Sequence, residues 1–336
     1  MRLEPLPPWL HEIWARLQAA RAAERLVHGL LITGARGVGK RQLAAHFAHS
    51  LLCTARLADG FACGRCADCQ LLAAGNHPDL IQIGPDPDSK SDTITIDTIR
   101  VFTGREALTP SRAAWKIALI DPADRLNTAA ANALLKTLEE PAGRTILCLI
   151  GERSGQLPAT IRSRCQQLKV PLPAEAEALA WLQRHSQQRD LALRLRLAHG
   201  APLLALSGYD DALLAQRRDC LNGFLALAAG TRDPVREAAA WHTVGAAQLL
   251  DWLAGWLCDL LRLHVSVAPP RLNNPDRRDE FASLATRFNA ADAHRFLQQI
   301  FTARQQLAAN INPQLLLEAL ALDWARCNHA VRQRRN

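Results

Sequence analysis

Short, largely apolar runs alternate with amphipathic stretches through the first 170 residues of the chain. Such runs, bounded by turn residues, are typical of buried strands. They cover residues 30–33, 79–83, 93–96, 116–120 and 145–150. Between the last two runs, residues 127–140 have helical spacing and stop before Pro141, which cannot continue a helix. Buried strands that alternate with helices predict an α/β domain with a parallel sheet.

The pattern changes after Pro171 and Pro173, where the strand-like runs stop. Residues 175–186 and 191–197 predict two short helices. A Gly-Ala-Pro sequence at 200–202 then breaks the helical pattern. We therefore expect a small helical domain over residues 172–210.

From about residue 212 onward, apolar residues recur at helical spacing and predict an all-helical region. Two apolar stripes show the spacing: Leu249, Leu253, Trp256, Leu260 and Leu263, then Leu316, Leu320, Trp324, Cys327 and Val331. Stripes of this kind face a helical core. The domains that we expect are an α/β domain over residues 1–171, the small helical domain over 172–210 and an all-α domain over 211–336.

Composition and charge exclude several classes of protein. Of the 336 residues, 49% are hydrophobic and 21% are charged, as in ordinary soluble proteins. No apolar run approaches the roughly 20 residues that span a bilayer. Residues 1–10 hold three prolines and lack the apolar segment of a secretory signal, so we expect a cytoplasmic protein. The net charge of +8 fits either a basic patch that faces DNA or a scattered basic surface.

A glycine-rich turn follows the first strand-like run. Gly34, Gly37, Gly39 and Lys40 match a P-loop, whose backbone N–H groups and lysine bind nucleotide phosphates. Arg41 takes the place of the Ser or Thr whose hydroxyl binds Mg²⁺, and an arginine cannot perform that role. The turn therefore predicts a P-loop that has lost one of its parts.

A second defect lies at the end of the run 116–120. Asp121 stands where a P-loop ATPase holds its metal, but Pro122 follows it in place of a glutamate that would polarise the attacking water. Without Mg²⁺ and that carboxylate, phosphoryl transfer loses its main electrostatic support. We interpret the P-loop as vestigial. The alternatives are an active ATPase with unusual residues and a glycine-rich turn with no nucleotide role.

Four of the nine cysteines lie close together in the sequence, which is unusual for a protein of a reducing compartment. Cys53, Cys63, Cys66 and Cys69 have the spacing C-x9-C-x2-C-x2-C. Four thiolates in a tight loop can bind one zinc ion and leave no open coordination position, so the metal would be structural. A redox dithiol or an iron–sulfur centre is the alternative. Histidines that could compete as ligands are His46, His49 and His77.

Three longer segments point to a known family. Residues 74–79 are Ala-Gly-Asn-His-Pro-Asp, residues 131–141 are Ala-Asn-Ala-Leu-Leu-Lys-Thr-Leu-Glu-Glu-Pro, and residues 157–165 end in Ser-Arg-Cys. Together with the P-loop and the cysteine loop, they resemble the bacterial clamp-loader subunits of the AAA+ family, namely the delta prime subunits and the gamma/tau motor. The resemblance is strong over residues 25–172.

Within that family, three losses favour the delta prime class. The motor keeps an intact P-loop and an Asp-Glu pair, and this chain has neither. The motor also carries a nucleotide-sensing arginine in its second domain, where residues 200–206 of this chain have a leucine. The resemblance implies a RecA-like AAA+ domain with a zinc module inserted at about residues 53–69, a small helical lid and a helical collar that mediates oligomerisation.

The resemblance also implies partners and a mechanism. The family forms a hetero-pentamer with gamma/tau and delta subunits, which uses ATP to load the sliding clamp onto primed DNA as part of the polymerase holoenzyme. It gives Arg164 the role of an arginine finger that acts in trans on the ATP of a neighbouring motor subunit. Alternatively, Arg164 binds a carboxylate of its own domain. Arg162 is the nearest competitor for the role, and we expect it to be an exposed helix residue.

Two other functions are compatible with the same residues. One is an active clamp-loader-type ATPase similar to gamma/tau. The other is a stand-alone zinc protein that binds DNA without partners. Binding of ATP with Mg²⁺ would separate the ATPase from a subunit with no catalytic activity of its own.

Overall fold

The computed structural model describes residues 3–87, 91–106, 110–140, 143–308 and 311–333. The chain forms two compact units, residues 1–184 with 201–204 and residues 185–200 with 205–336. The domain boundaries at 171 and 210 stay a prediction. The helices are α1 (His11–Ala22), α2 (Lys40–Leu52), α3 (Ala67–Ala73), α4 (Ile96–Glu106), α5 (Thr128–Glu139), α6 (Ala159–Arg164), α7 (Glu175–His185), α8 (Leu191–Leu197), α9 (Pro202–Ser207), α10 (Asp211–Ala228), α11 (Pro234–His242), α12 (Ala246–Val265), α13 (Arg278–Ala285), α14 (Ala290–Ala308) and α15 (Pro313–Gln333).

The first unit is built on a parallel sheet. Its strands are β1 (Gly29–Thr33), β2 (Leu80–Ile83), β3 (Lys116–Ile120), β4 (Thr145–Gly151) and β5 (Gln166–Lys169). The five strands lie in the order β2-β3-β4-β1-β5, and each neighbouring pair is parallel. Every residue of β1, β3 and β4 is buried, as expected for strands covered on both faces. The predicted α/β fold class is confirmed.

Most of the predicted elements form, and their local signals explain their ends. Helix α5 begins after Asn127, whose side chain accepts a hydrogen bond from the Ala130 backbone N–H at 2.8 Å. It ends one residue before the predicted limit, at Glu139. Helix α2 follows the glycine-rich turn and buries Leu43, Phe47 and Leu51 against the sheet. The 3.6-residue spacing therefore identified the faces of these helices that are buried.

The prediction of a strand over residues 93–96 is wrong. Ile94 forms only an isolated bridge with Leu126, and the chain turns into α4 at Ile96. The alternation Thr-Ile-Thr-Ile favours a strand locally, but Ile99 and Phe102 continue the apolar spacing at helical intervals and are buried. Burial on one helix face overrides the local preference of the β-branched residues.

Strand β5 was not predicted, because its pattern is weak. Only Leu168 of its four residues is buried. The strand lies at the edge of the sheet beside β1, with Leu30 opposite Gln166. An edge strand needs few apolar residues, so a polar sequence conceals it. This pairing fixes the position of Arg164, the residue two positions before β5.

The second unit is helical, as predicted for the C-terminal region. Its core is built around aromatic residues, with the Phe224 and Trp324 rings stacked at 4.2 Å between centroids. The Trp324 indole N–H donates to the Phe224 carbonyl at 2.9 Å. Asp210 and Asp233 cap the first turns of α10 and α11. Among the described residues, no single helix is long and apolar enough to cross a membrane, and only the bent pair α11 and α12 passes by length and composition.

Candidate functional site

The glycine-rich loop lies at the carboxyl-terminal edge of the sheet, directly after β1. Gly37 and Gly39 have φ angles of 79° and 95°, which L side chains rarely adopt. Lys40, the first residue of α2, donates its ammonium N–H groups to the carbonyls of Gly34 at 2.8 Å and Ala35 at 2.7 Å. Burial lowers the pKa of Lys40, and the nearby carboxylates of Glu152 and two aspartates oppose that shift. The lysine that would bind phosphate is therefore held by its own loop.

Arg41 pairs with the aspartate that follows β3. Its Nε donates to Asp121 Oδ2 at 2.5 Å, so the residue that replaces the Mg²⁺-binding hydroxyl pairs with the carboxylate that would hold the metal. The guanidinium brings a positive charge to that carboxylate. The sequence showed both substitutions, but it did not show that the two residues contact each other.

The outer side of the loop is covered by residues 203–204 of the same unit. The Leu203 backbone N–H donates to the Gly37 carbonyl at 3.0 Å. A Cβ atom placed on Gly37 would lie only 2.4 Å from the Cβ of Leu204. Two leucines of the stretch 200–206 therefore contact the loop. This is the stretch in which the motor subunits of the resembling family carry a nucleotide-sensing arginine.

The four cysteines come together beside the carboxyl end of α2. Their Sγ atoms all lie within 4.8 Å of one another. The Sγ atoms of Cys53 and Cys66 are 3.8 Å apart, and those of Cys63 and Cys69 are 3.9 Å apart. Tetrahedral Zn–S bonds of about 2.3 Å require sulfur atoms about 3.8 Å apart, so this donor set fits zinc. The three candidate histidines contribute no atom to the cluster.

The loop geometry explains why four cysteines converge. Gly64 turns the chain with φ of 72°, and no atom lies within 4 Å of the position of its missing Cβ. The backbone N–H groups of Cys63, Cys66 and Cys69 donate to the Sγ atoms of Cys53, Cys63 and Cys66, respectively, at 3.3 to 3.4 Å. Such N–H donors stabilise thiolates.

Electrostatics divides the four thiols into two pairs. Burial opposes ionisation of Cys66, yet the Cys69 N–H and other donors lower its pKa to about 6. Hydrogen bonds from the backbone also lower the pKa of Cys63. Burial raises the pKa of Cys53 and Cys69. Because two of the thiols resist ionisation, four thiolates together require a cation among them.

The cysteine loop is fixed to the rest of the first unit on two sides. The Phe61 ring stacks on Trp14 of α1 at 4.4 Å between centroids. On the other side, Asp68 accepts a hydrogen bond from Arg112 Nε at 2.8 Å. Disruption of the loop should therefore affect the packing around α1 and the segment before β3.

Arg164 is the last residue of α6 and lies at the amino-terminal edge of the sheet. Its backbone carbonyl approaches Gly29, the first residue of β1. The P-loop follows the other end of that strand. A five-residue strand is about 16 Å long, which exceeds the length of an arginine side chain. Arg164 is therefore far from the P-loop of its own chain.

The side chain of Arg164 has partners in its own domain. Its Nε donates to Glu139 Oε1 at 2.7 Å, its Nη2 lies 2.6 Å from the same oxygen in an ion pair, and Nη1 donates to the Thr160 carbonyl at 3.0 Å. The Arg164 and Glu139 side chains are 37% and 49% exposed, so the pair stays accessible. Arg162 is half-buried, with an Nε that has no hydrogen-bond partner, whereas we expected an exposed residue.

One structural feature could not be predicted from the sequence. Asp79, in the segment 74–79, is fully buried, and its carboxylate accepts hydrogen bonds from the backbone N–H groups of Ser111, Arg112 and Ala113 at 2.7 to 2.9 Å. Burial alone would raise the pKa of Asp79, but the three donors outweigh it and hold the pKa below its ordinary value. The carboxylate organises the segment that leads into β3.

Asp79→Ala should lower the free energy of unfolding by about 3 kcal/mol at pH 7, because it leaves three part-buried backbone N–H donors without their acceptor. A carboxylate with a depressed folded-state pKa contributes stability above its unfolded pKa of about 3.9 and loses it as the pH falls through the folded pKa. The difference between wild type and variant should therefore shrink in acid. Urea unfolding at pH 7 and at lower pH measures it, and a difference that does not change with pH would contradict the role of the charge.

Comparisons with known proteins cover most of the chain. Residues 9–173 match the family model described as DNA polymerase III, delta subunit, and residues 211–326 match its C-terminal counterpart. A protein named DNA polymerase III subunit delta prime from Pseudomonas aeruginosa is 36% identical over 95% of this chain and 97% of its own length. The protein of that name from Escherichia coli is 33% identical over 94% of each chain.

A solved structure can also be superposed on most of the chain. It is a DNA polymerase III gamma subunit-related protein from Thermotoga maritima, which covers 93% of this chain and 99% of its own. The sequence identity is 17% and the TM-score is 0.47.

Proposed function

The chain belongs to the DNA polymerase III delta prime family, and on that premise we propose that it is a clamp-loader subunit that hydrolyses no ATP itself and supplies Arg164 to a neighbouring subunit. Its partners are gamma/tau and delta subunits in a hetero-pentamer, together with the sliding clamp and primed DNA. The three predicted domains serve as an AAA+ domain, a helical lid and an oligomerisation collar.

The observation that carries the proposal is the internal pairing of the phosphate loop. Lys40 binds two carbonyls of its own loop, and Arg41 pairs with Asp121. ATP with Mg²⁺ would have to break both sets of contacts. In addition, Arg41 offers no hydroxyl as a ligand for the metal. Pro122 provides no carboxylate to orient water. These features favour a subunit without turnover.

The position of Arg164 supports action in trans. The residue lies at the edge of the sheet opposite to its own P-loop, and its guanidinium is partly exposed. An arginine there can reach an ATP only if a second subunit brings one to that edge. A planar, permanently charged guanidinium is suited to neutralise charge that develops on a γ-phosphate. The pairing with Glu139 supports the alternative, in which Arg164 acts only within its own domain. The two roles predict different rates of ATP hydrolysis for Glu139 variants.

The cysteine cluster supports a structural zinc ion. Cys53, Cys63, Cys66 and Cys69 would hold it, and with four thiolates the metal keeps no position for a substrate. The ion would supply no chemistry to ATP hydrolysis. Its effect would be to fix the loop that contacts Trp14 and Arg112.

The purified chain should show no Mg²⁺-dependent ATP hydrolysis above the background of a Lys40→Ala variant. The reason is the loss of the metal-binding hydroxyl and of the water-orienting acid. Steady-state phosphate release from both proteins measures it. Turnover by the wild-type chain that disappears in Lys40→Ala would favour the alternative function, an active clamp-loader-type ATPase.

A further inference from the structure

A cleft of about 610 Å³ opens at the amino-terminal edge of the sheet, on the side opposite to the phosphate loop. Its walls come from the ends of α1 and α2 and from the residues that precede β1, β3 and β4. The lining residues that matter here are Arg21, Glu24, Arg56, Arg112, Trp115 and Arg144. We call it the arginine cleft. A volume of this size accommodates a small organic ligand.

The arginine cleft carries a positive charge that its own residues do not cancel. The lining contains four arginines and one glutamate. Arg21 donates to the Ser50 carbonyl at 3.0 Å, and Arg112 donates to Asp68. Within the described part of the chain, the side chains of the two others, Arg56 and Arg144, make no ion pair or hydrogen bond, and both residues are exposed. Two guanidinium groups thus remain available to an anion.

An aromatic ring lies beside these charges. Trp115 is half-buried, and the Arg144 guanidinium lies over its ring at 5.7 Å from the centroid. Apolar groups of Leu26, Leu51 and Leu52 complete the lining. Arginines beside a partly exposed aromatic ring are the groups that bind single-stranded nucleic acid, in which phosphates pair with the cations and bases stack on the ring.

We propose that the arginine cleft binds a nucleotide unit, with its phosphate at Arg56 and Arg144 and its base against Trp115. A free mononucleotide and one residue of a single strand present the same chemistry. This site is separate from the phosphate loop, and it does not depend on the role of Arg164. The arginines of the cleft contribute to the net charge of +8, and the proposed site assigns them an anionic ligand.

The cysteine cluster offers the competing explanation for the arginines. Cys53 also lines the cleft. A zinc ion with four thiolates carries a net charge of about −2, and Arg56 and Arg112 would stabilise it. If that were their entire role, loss of the arginines would weaken metal retention and leave anion binding unchanged. The two explanations therefore predict different measurements.

The test uses the full chain and a fluorescein-labelled oligothymidylate of about 12 nucleotides, within the site sizes of single-strand binders. Fluorescence anisotropy is recorded against salt for wild type, Arg56→Ala/Arg144→Ala, Trp115→Phe and Trp115→Ala. The matched control is Arg100→Ala/Arg326→Ala, which removes the same charge from two exposed arginines elsewhere. AMP and inorganic phosphate serve as competitors. Circular dichroism and release of zinc to a chelator report on the fold and the metal.

The cleft variant should reduce the slope of log binding constant against log salt by about 1.4, since each phosphate contact with a single strand contributes about 0.7. Trp115→Ala should weaken binding roughly fivefold or more, and Trp115→Phe should weaken it less. Competition by AMP, but not by phosphate, would identify a mononucleotide site, and displacement only by unlabelled strand would identify a single-strand site. Equal losses in the cleft variant and the control, or faster zinc release without a change in binding, would overturn the proposal.

Discussion

Arg164→Ala should lower ATP hydrolysis at one subunit interface of an assembled clamp loader by roughly 10³-fold, the lower range of what arginine fingers contribute in GTPases. The guanidinium is partly exposed and lies far from the P-loop of its own chain, so its target would be an ATP held by a neighbour. Folding, zinc content and assembly should persist, because an exposed ion pair contributes at most about 1 kcal/mol. The rate of the whole complex would fall less, since the other interfaces keep their own arginines.

Glu139 provides the matched control. Its carboxylate accepts a hydrogen bond from Arg164 Nε and forms an ion pair with Nη2, so Glu139→Ala breaks that ion pair and leaves the guanidinium in place. If Arg164 acts on a neighbour's ATP, Glu139→Ala should keep hydrolysis near the wild-type rate. Equal losses in the two variants would show that the pair has only an internal structural role. Arg164→Lys should not restore the rate fully, because an ammonium lacks the planar fork.

Removal of the metal should destabilise the first unit more than the loss of any single side chain described above. We expect one zinc ion per chain, bound by Cys53, Cys63, Cys66 and Cys69. Because four thiolates repel one another without a cation, zinc binding would be coupled to folding of the loop, and structural zinc sites contribute about 10 kcal/mol or more of binding free energy in peptides. Cys66→Ser should therefore abolish zinc retention and lower the melting temperature. Elemental analysis and calorimetry measure both.

The control for the zinc prediction is Cys258→Ser, which alters a half-buried cysteine of the second unit outside the cluster. It should keep its zinc. Purified protein that contains iron in place of zinc, or zinc that remains after two of the four cysteines are lost, would contradict the assignment. Chelation should affect the packing of Phe61 on Trp14, which tryptophan fluorescence can follow.

The sheet could be predicted where its strands are central. Strands β1, β3 and β4 are buried along their whole length, and such strands are continuous apolar runs in the sequence. Edge strand β5 buries one residue, so its sequence contains no comparable signal. Residues 93–96 show the opposite error, a strand that was predicted but does not form. Burial of Ile99 and Phe102 on a helix face outweighs the local β preference.

The candidate site could be predicted at the level of residue types but not of contacts. The spacing of the cysteines was sufficient to predict that the four thiols come together, because these residues lie close in the sequence. The pairs Arg41 with Asp121 and Arg164 with Glu139 join residues that are 80 and 25 positions apart. The three backbone donors to Asp79 also come from a distant segment. Contacts of this kind depend on the register of the sheet, which the sequence does not reveal.

The most direct test compares three reconstituted clamp loaders that differ only in this subunit, which is wild type, Lys40→Ala or Arg164→Ala. The measurement is ATP hydrolysis stimulated by the clamp and by primed DNA. If the chain contributes only in trans, Lys40→Ala should match wild type, because its own phosphate loop takes no part, and Arg164→Ala should be slower. A complex that loses activity with Lys40→Ala and keeps it with Arg164→Ala would show that this subunit hydrolyses its own ATP and supplies no finger to its neighbour.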